Sequence, residues 1–529
     1  MKSWRRNCIV VFGGSILLLV FPRATRAQYS YIPAPPPCPA PPSAVAVKRF
    51  ARSASIGVLA LHLVRTSAEH RYLADAFPDV IARRLASITR IDLFAPFSVR
   101  RLSPSSVVDA KRVSREMGVR FLLTGSLTTL PGRPRVDVLL YDTLSPTPVW
   151  QETLSLDASG LANAEQSASM SVVVHMLTTP TAQEQALLTR PAATNALALP
   201  PFLRGLDAAR EPATTYGQRA NDYFSEALAV DSAFAGAHAE LAASLARMLE
   251  AGTREVMANP DSVARLAVRH AERAVALDPT SARWWSIKGL ALSFTPSRWN
   301  DAHAAFTQAT TLDARDPDIG YQRGRAALRM GMRREAELTF LTAAERSPAG
   351  AAIFASLGDL ALSERRTELA CSWLNAAITA NPYAPLPYAL RAMARRRERD
   401  VRLAWSDAEI AVRLGARASG EAAYSLADVS GGDSTRARGL ALKLFREFDR
   451  RPRMGVIDAR LSALALVAVG EHARAISLLE RAYPRDGVLG QALADPAFNS
   501  LRSDERFRQV VSAVNVILSN HGRFKREAP

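Results

Sequence analysis

Histidine and glutamate two residues apart form half of a zinc-deaminase site: one side chain holds the metal and the other moves a proton. The chain carries that spacing twice, as His238-Ala239-Glu240 and His270-Ala271-Glu272. The companion Pro-Cys-x-x-Cys is absent, so both are read as coincidences of Ala-rich helices. Three cysteines in 529 residues also rule out a multi-cysteine zinc or iron–sulfur site. No His-Glu-x-x-His, Gly-x-Ser-x-Gly or glycine-rich phosphate loop occurs, and the eight histidines are dispersed. No catalytic, cofactor-binding or metal-ligating residue is assigned, no cofactor is expected, and the chain is read as a non-enzyme. What remains is binding chemistry. Trp284 and Trp285 are adjacent and cannot share one helix face, so one of them can line a groove; packing between helices is the other reading. Arg323, Arg325, Arg391 and Arg395, with Arg396 and Arg397, would make such a groove cationic and suited to acidic peptides or anionic polymers.

These residues fall on a periodic scaffold. Gly324 and Gly358 are 34 residues apart, as are Phe340 and Leu374, Ala343 and Ala377, and Pro348 and Pro382. Ala336, Ala370 and Ala404 continue the series. A small residue, a large one four later, an alanine three later and a proline five later make the second-helix signature of tetratricopeptide repeats (TPRs). Small residues let the two helices of a hairpin approach, large ones fill the groove to the next hairpin, and proline ends the second helix. The pattern recurs at Ala220, Phe224 and Ala227, at Ala267, Ala271, Ala274 and Pro279, at Ala302, Phe306 and Ala309, and at Ala475, Leu479 and Ala482. Seven to eight hairpins are expected over residues 197–485. A loop at Gly252–Asp261 should break the second repeat, and Val429–Thr435 should leave the seventh degenerate. Residues 486–520 should form capping helices over the last apolar face, and 521–529 a frayed tail.

The amino terminus reads as a secretory signal. Lys2, Arg5 and Arg6 precede an apolar run from Cys8 to Phe21 and the small-residue stretch Ala24-Thr25-Arg26-Ala27. Cleavage is expected after Ala27, which places the protein in the periplasm or cell envelope; retention as an anchor is the alternative, and the only membrane contact foreseen. Residues 28–50 form a Pro-rich spacer. Cys38 and Cys371 would be the thiols of the processed chain; nothing in their spacing suggests a disulfide, and one is left open. The formal charge of +17 comes from 67 basic residues, 61 of them Arg, spread along the chain instead of gathered in blocks. No nucleic-acid partner is therefore expected.

Residues 51–180 read as a small α/β domain. Ser55–His62 is an apolar strand, and Tyr72–Ile88 a helix with Leu73, Phe77, Ile81, Leu85 and Ile88 on one side. Strand Ile91–Phe94 and helix Pro104–Met117 follow, then strands Val119–Leu130, Arg135–Leu144 and Pro148–Leu156 and helix Ala162–Leu177. The order is β-α-β-α-β-β-β-α with a mixed sheet. Asp75 and Asp142 are polar landmarks suited to turn or cap chemistry.

Ile56-Gly57-Val58-Leu59, Tyr72-Leu73-Ala74-Asp75-Ala76, the stretch from Ser114 to Leu127 with Gly118-Val119 and Thr124-Gly125-Ser126, then Tyr141-Asp142 and Val149-Trp150 carry a resemblance. Together they resemble the TolB amino-terminal-like (FlgO-like) domain. That domain stands between a membrane segment and TPRs in adenylate-cyclase-like, CadC-like and kinase-linked bacterial signalling proteins. The resemblance supplies no catalytic residues. It implies an exported interaction scaffold whose repeats bind a protein or peptide, of acidic character if the arginines line the groove. The alternative is a signal-anchored regulatory module whose output lies on another chain. Residues 181–196 are read as the linker between the two domains.

Overall fold

A computed structural model describes residues 54–88, 90–94, 112–114, 119–130, 133–157, 160–177, 179–210, 213–251, 259–346, 350–449, 456–481 and 496–513. It is a small mixed sheet with helices followed by an all-α TPR solenoid. The signal segment, the spacer and Cys38 lie outside the described residues, as does nearly all of the helix expected over 104–117.

The sheet comprises β1 (Ser55–Val58), β2 (His62–Val64), β3 (Asp92–Phe94), β4 (Phe121–Leu130), β5 (Arg133–Asp142) and β6 (Pro148–Ser155). Its order is β3-β1-β4-β5-β6. β1 runs parallel to β3 and β4, while β4, β5 and β6 form an antiparallel meander. The run expected as one strand over 55–62 is two. β1 pairs with Phe121–Leu123 and β2 with Ser126–Thr128, and between them the chain bends inward at Leu61. Gly125 permits this, because a Cβ there would sit 2.1 Å from the Asp137 carbonyl oxygen and 3.2 Å from Leu61. Helices α1 (Leu73–Ala86) and α2 (Leu161–Leu177) cover one face, burying Phe77, Ile81, Leu85 and Val172 against Ile56, Leu123 and Val138. Asp142 performs the expected turn chemistry, accepting from the Leu144 amide at 3.0 Å, and also pairs with Arg120 at 2.8 Å.

The segment expected as a linker is ordered. It holds α3 (Ala182–Thr189), opened by a reciprocal cap between Thr181 and Glu184. Arg90 hydrogen-bonds Glu184 at 2.8 Å and holds its carboxyl down to about 2. The Arg84 guanidinium takes the carbonyls of Leu187, Leu188 and Arg190 at the other end, at 3.0, 3.1 and 2.7 Å. Those carbonyls carry no helical partner and draw a cation.

Among the described residues eight hairpins follow. They pair α4 (Leu199–Ala208) with α5 (Ala213–Val230), α6 (Ala235–Ala251) with α7 (Pro260–Leu277), α8 (Ala282–Leu292) with α9 (Trp299–Leu312), and α10 (Pro317–Arg329) with α11 (Arg333–Arg346). The remaining pairs are α12 (Ala351–Ser363) with α13 (Thr367–Ala380), α14 (Pro385–Arg397) with α15 (Val401–Arg413), α16 (Arg417–Gly431) with α17 (Ser434–Asp449), and α18 (Val456–Ala468) with α19 (His472–Arg481). First helices of successive hairpins pack on one another far more than second helices do, so the first helices form the inner side of the curve. Ala336, Phe340, Ala343, Ala370, Leu374 and Ala377 are all buried. A Cβ on Gly324 would lie 2.5 Å from the Phe340 ring, and one on Gly358 would lie 2.6 Å from Leu374. The missing side chain of the first helix is thus where the large side chain of the second one seats. Pro382 stands just past α13, where its carbonyl accepts from the Tyr388 hydroxyl at 3.2 Å; Pro348 lies outside the described residues. Val429–Thr435, expected to degrade the seventh repeat, holds the end of α16 at Gly431, a turn through left-handed Gly432 (φ 89°) and the start of α17 at Ser434. Cys371 is fully buried and disulfide-bonded. At the far end Phe498 and Phe507 are buried with their rings 6.2 Å apart.

One apolar core runs without a break from Ile56 in β1 to Ala377 in α13. The α/β domain and the first five hairpins share it.

Candidate functional site

The residues expected to line a binding groove end up in three different settings. Trp284 and Trp285 lie on the first turn of α8, which Ser281 caps. Both rings are half-buried against the shared core. The Trp285 Nε1 donates to the Pro279 carbonyl at 2.8 Å, and Lys288 lies over its ring. Arg323 and Arg325 stand on α10 and are matched: Arg323 to Glu335 at 3.3 Å, Arg325 to Glu250. Arg391 and Arg395 are not groove residues. Their side chains are 3% and 2% exposed and both bind Asp407, which is wholly buried. Arg391 holds it in a fork at 2.7 and 2.8 Å, and Arg395 approaches at 3.1 Å. A carboxylate without water must be paired, and two guanidiniums on the neighbouring helix supply the pairing. The expected cationic stripe is therefore largely neutralised within the fold.

The structure assembles a different site, at the seam between the α/β domain and the solenoid. Its centre is Glu240, whose side chain is 2% exposed. Arg83 of α1 reaches one carboxylate oxygen at 2.5 Å and Arg283 of α8 reaches the same oxygen at 3.0 Å. Burial would raise the Glu240 carboxyl, but Arg83, Arg283 and Arg247 override it and hold it down to about 2. Arg83 also binds Asp79 at 2.8 Å. Arg210, at the end of the first hairpin's inner helix, donates to the Asp75 carbonyl at 2.7 Å and approaches the Asp79 carboxylate at 3.6 Å. Beyond the seam, Arg329 of α10 spans two hairpins: it meets Ser293 at 3.0 Å and Glu250 at 2.8 Å, with its guanidinium over the Phe294 ring.

Composition and motif spacing do not reveal this cluster, because Arg83 and Glu240 are 157 positions apart. One signal was available. Glu240 and Arg247 are seven apart on α6, so they share a face, and that face otherwise carries Gly236 and Ala243, both buried. Two opposite charges among small buried residues mark a polar contact to another element. The histidines of the two His-Ala-Glu runs face each other: His238 Nδ1 and His270 Nδ1 are 2.8 Å apart, across the hairpin of α6 and α7. Among the described residues, no helix is long and apolar enough to cross a membrane.

No family model and no curated protein matches the chain. Solved structures resemble it in part. PilF of Pseudomonas aeruginosa is 17% identical over 40% of this chain and 94% of its own, with a TM-score of 0.32. Yeast Tom70 is 15% identical over 70% and 84%, with a TM-score of 0.38. YrrB, described as a TPR protein with an unusual peptide-binding site, is 20% identical over 36% and 89%, with a TM-score of 0.23. At these identities and scores the likenesses bear on no function of this chain.

Proposed function

We propose that this chain is a non-enzymatic, exported scaffold of the bacterial cell envelope that docks a protein or peptide on the inner side of its solenoid. The observation that carries the reading is the stacking of first helices along the inner side, from the second hairpin to the fourth and from the fifth to the eighth, with the α/β domain sharing the core of the first five hairpins. Such a face is rigid before a partner arrives, so docking loses little conformational entropy. Export rests on the signal pattern over residues 1–27 and on the resemblance to TolB amino-terminal-like proteins. Because the arginines of the inner face are mostly matched to acids, the partner need not be acidic.

Photo-cross-linking in the intact envelope tests the docking. A photoreactive residue replacing Tyr321, on the first helix of the fourth hairpin, should give a discrete adduct; one replacing exposed Leu338, on its second helix, should not. Equal yields from both positions, or none from Tyr321, would overturn the reading. Mass spectrometry of the same material should find a chain beginning at Gln28.

A further inference from the structure

We propose that the seam between the α/β domain and the first three hairpins holds one oxyanionic group, a carboxylate or a phosphate, on the side chains of Arg247 and Arg283. The inference begins with hydrogen-bond donors that have no acceptor. The Arg247 Nη2 and the Arg283 Nε are both shielded from water, and neither has a hydrogen-bond partner. A buried guanidinium N–H left unpaired is costly, so two of them on one carboxylate's rim call for an acceptor the chain does not supply.

The charges give the same reading. Glu240 already serves Arg83 and Arg283. Arg247 stands close enough to help lower the Glu240 carboxyl, yet it forms no ion pair among the described residues. Around the seam and the inner face next to it, Arg83, Arg210, Arg247, Arg283, Arg325 and Arg329 stand among the carboxylates of Asp75, Asp79, Glu240 and Glu250. A fifth acid, Asp316, faces Arg283, but burial and its acidic neighbours push its carboxyl up to about 7, which weakens it as a counterion. Burial holds the Arg247 guanidinium below its ordinary range; Glu240 and Glu250 oppose this, and the Arg283 and Arg83 charges add to it. Two buried guanidinium donors without acceptors, beside one shared carboxylate, are the complement of an oxyanion.

Arg283, whose side chain is 37% exposed, sits on the first turn of α8 and gives the site its solvent-facing side. It lies where two folded units meet, a common place for small ligands. It stands independently of the docking reading, since an anion can be held at the seam whether or not a protein lies along the solenoid.

The test uses the full chain, with melting followed against inorganic phosphate and, separately, against succinate, each compared with sodium chloride at equal ionic strength. A saturable rise in melting temperature with either anion is expected, and calorimetric titration should return the same affinity. A response to phosphate alone or to succinate alone tells a tetrahedral from a planar ligand. Arg247→Gln and Arg283→Gln should each weaken binding about tenfold or more, the loss of one charge-assisted contact. Without anion, Arg247→Gln should melt no lower than the parent, because an unpaired cation has been removed. Should it fail to fold, Arg247→Lys, which keeps the charge and loses the fork, is read in its place. No saturable rise with either anion, or parental affinity in these variants, overturns the proposal.

Discussion

The joint within each hairpin and the joint between the solenoid and the α/β domain are built from opposite materials. Within a hairpin, glycine meets a large apolar ring: Gly205 under Phe224, Gly289 under Phe306, Gly324 under Phe340. At the seam with the α/β domain, the shared apolar core is ringed by charge: Arg83 on Glu240, Arg210 beside Asp75 and Asp79. Apolar interdigitation is short-range and tolerant of substitution by shape. A buried ion pair is demanding, because removing either member strands the other in a dry place. The hairpins are therefore individually forgiving, whereas the seam fixes one orientation of the α/β domain and fails as a unit.

The largest effect should come from breaking the seam. Glu240→Gln leaves Arg83 and Arg283 facing a neutral amide, at a cost of about 3–5 kcal/mol in chemical denaturation. Its signature should be new proteolytic cleavage within residues 181–196 as the two domains part. Asp407→Asn makes a matched control: it strands Arg391 and Arg395 at similar cost, with the damage confined to the sixth hairpin. If Glu240→Gln costs less than about 1 kcal/mol, the seam is held by apolar contact alone and the contrast fails.

Next comes the hairpin joint. Gly324→Ala places a methyl group 2.5 Å from the Phe340 ring, an overpacking cost of about 1–3 kcal/mol. Adding Phe340→Leu should restore part of it, since residues sharing one volume are not additive. An unchanged melting temperature in Gly324→Ala would show that the glycine is not what seats the ring.

This contrast also accounts for what could be read from the chain before its structure. Phe340 and Gly324 lie 16 positions apart and recur 34 later as Leu374 and Gly358, so hairpin packing is written locally and repeatedly. Glu240 has its partners in α1 and α8, and a single long-range pair leaves no period to find. The groove arginines failed for a related reason. Arg391 and Asp407 are also 16 apart, the separation of the glycine–phenylalanine contact, so the acid that buries Arg391 faces it across the hairpin and not along its own helix. The ordered segment 181–196 was missed although Thr181 and Glu184 carry the spacing of a capping box, because a short helix between two domains passes for a linker.

A smaller effect belongs to the histidine pair, where a joint of the hairpin kind contains a titratable contact. A carbonyl only accepts, so His238 Nε2 carries the hydrogen that meets the Ser232 oxygen at 3.1 Å. His238 Nδ1 is then the acceptor for His270 Nδ1–H. Burial first, then His238 and Arg269, push the His270 imidazole down to about 4. An unfolded histidine titrates near 6.5, so between those values the unfolded chain binds the extra proton. The contribution is thus fully present above pH 6.5 and is lost as pH falls toward 4. With the ring half-exposed, about 1 kcal/mol is at stake. His270→Gln should flatten the stability profile between pH 7.5 and 5 by that amount; an unaltered slope would remove the pair from the account.

The smallest effect is a gain. After the first helix, the fourth, seventh and eighth hairpins turn through Gly331, Gly432 and Gly470 with φ of 74°, 89° and 80°, but the fifth and sixth use Arg365 and Arg399 at 61° and 65°. A side chain in that left-handed region costs roughly 1 kcal/mol, part of which a glycine gives back through the freedom of the unfolded chain. Arg365→Gly and Arg399→Gly should each stabilise by about 0.5 kcal/mol, and the two should add, because adjacent turns share no volume. The ion pairs of the seam offer no such correction, since a change in either member strands its partner. A loss of stability in Arg365→Gly would mean that its exposed guanidinium contributes more than the turn geometry costs, and that charge governs the hairpins too.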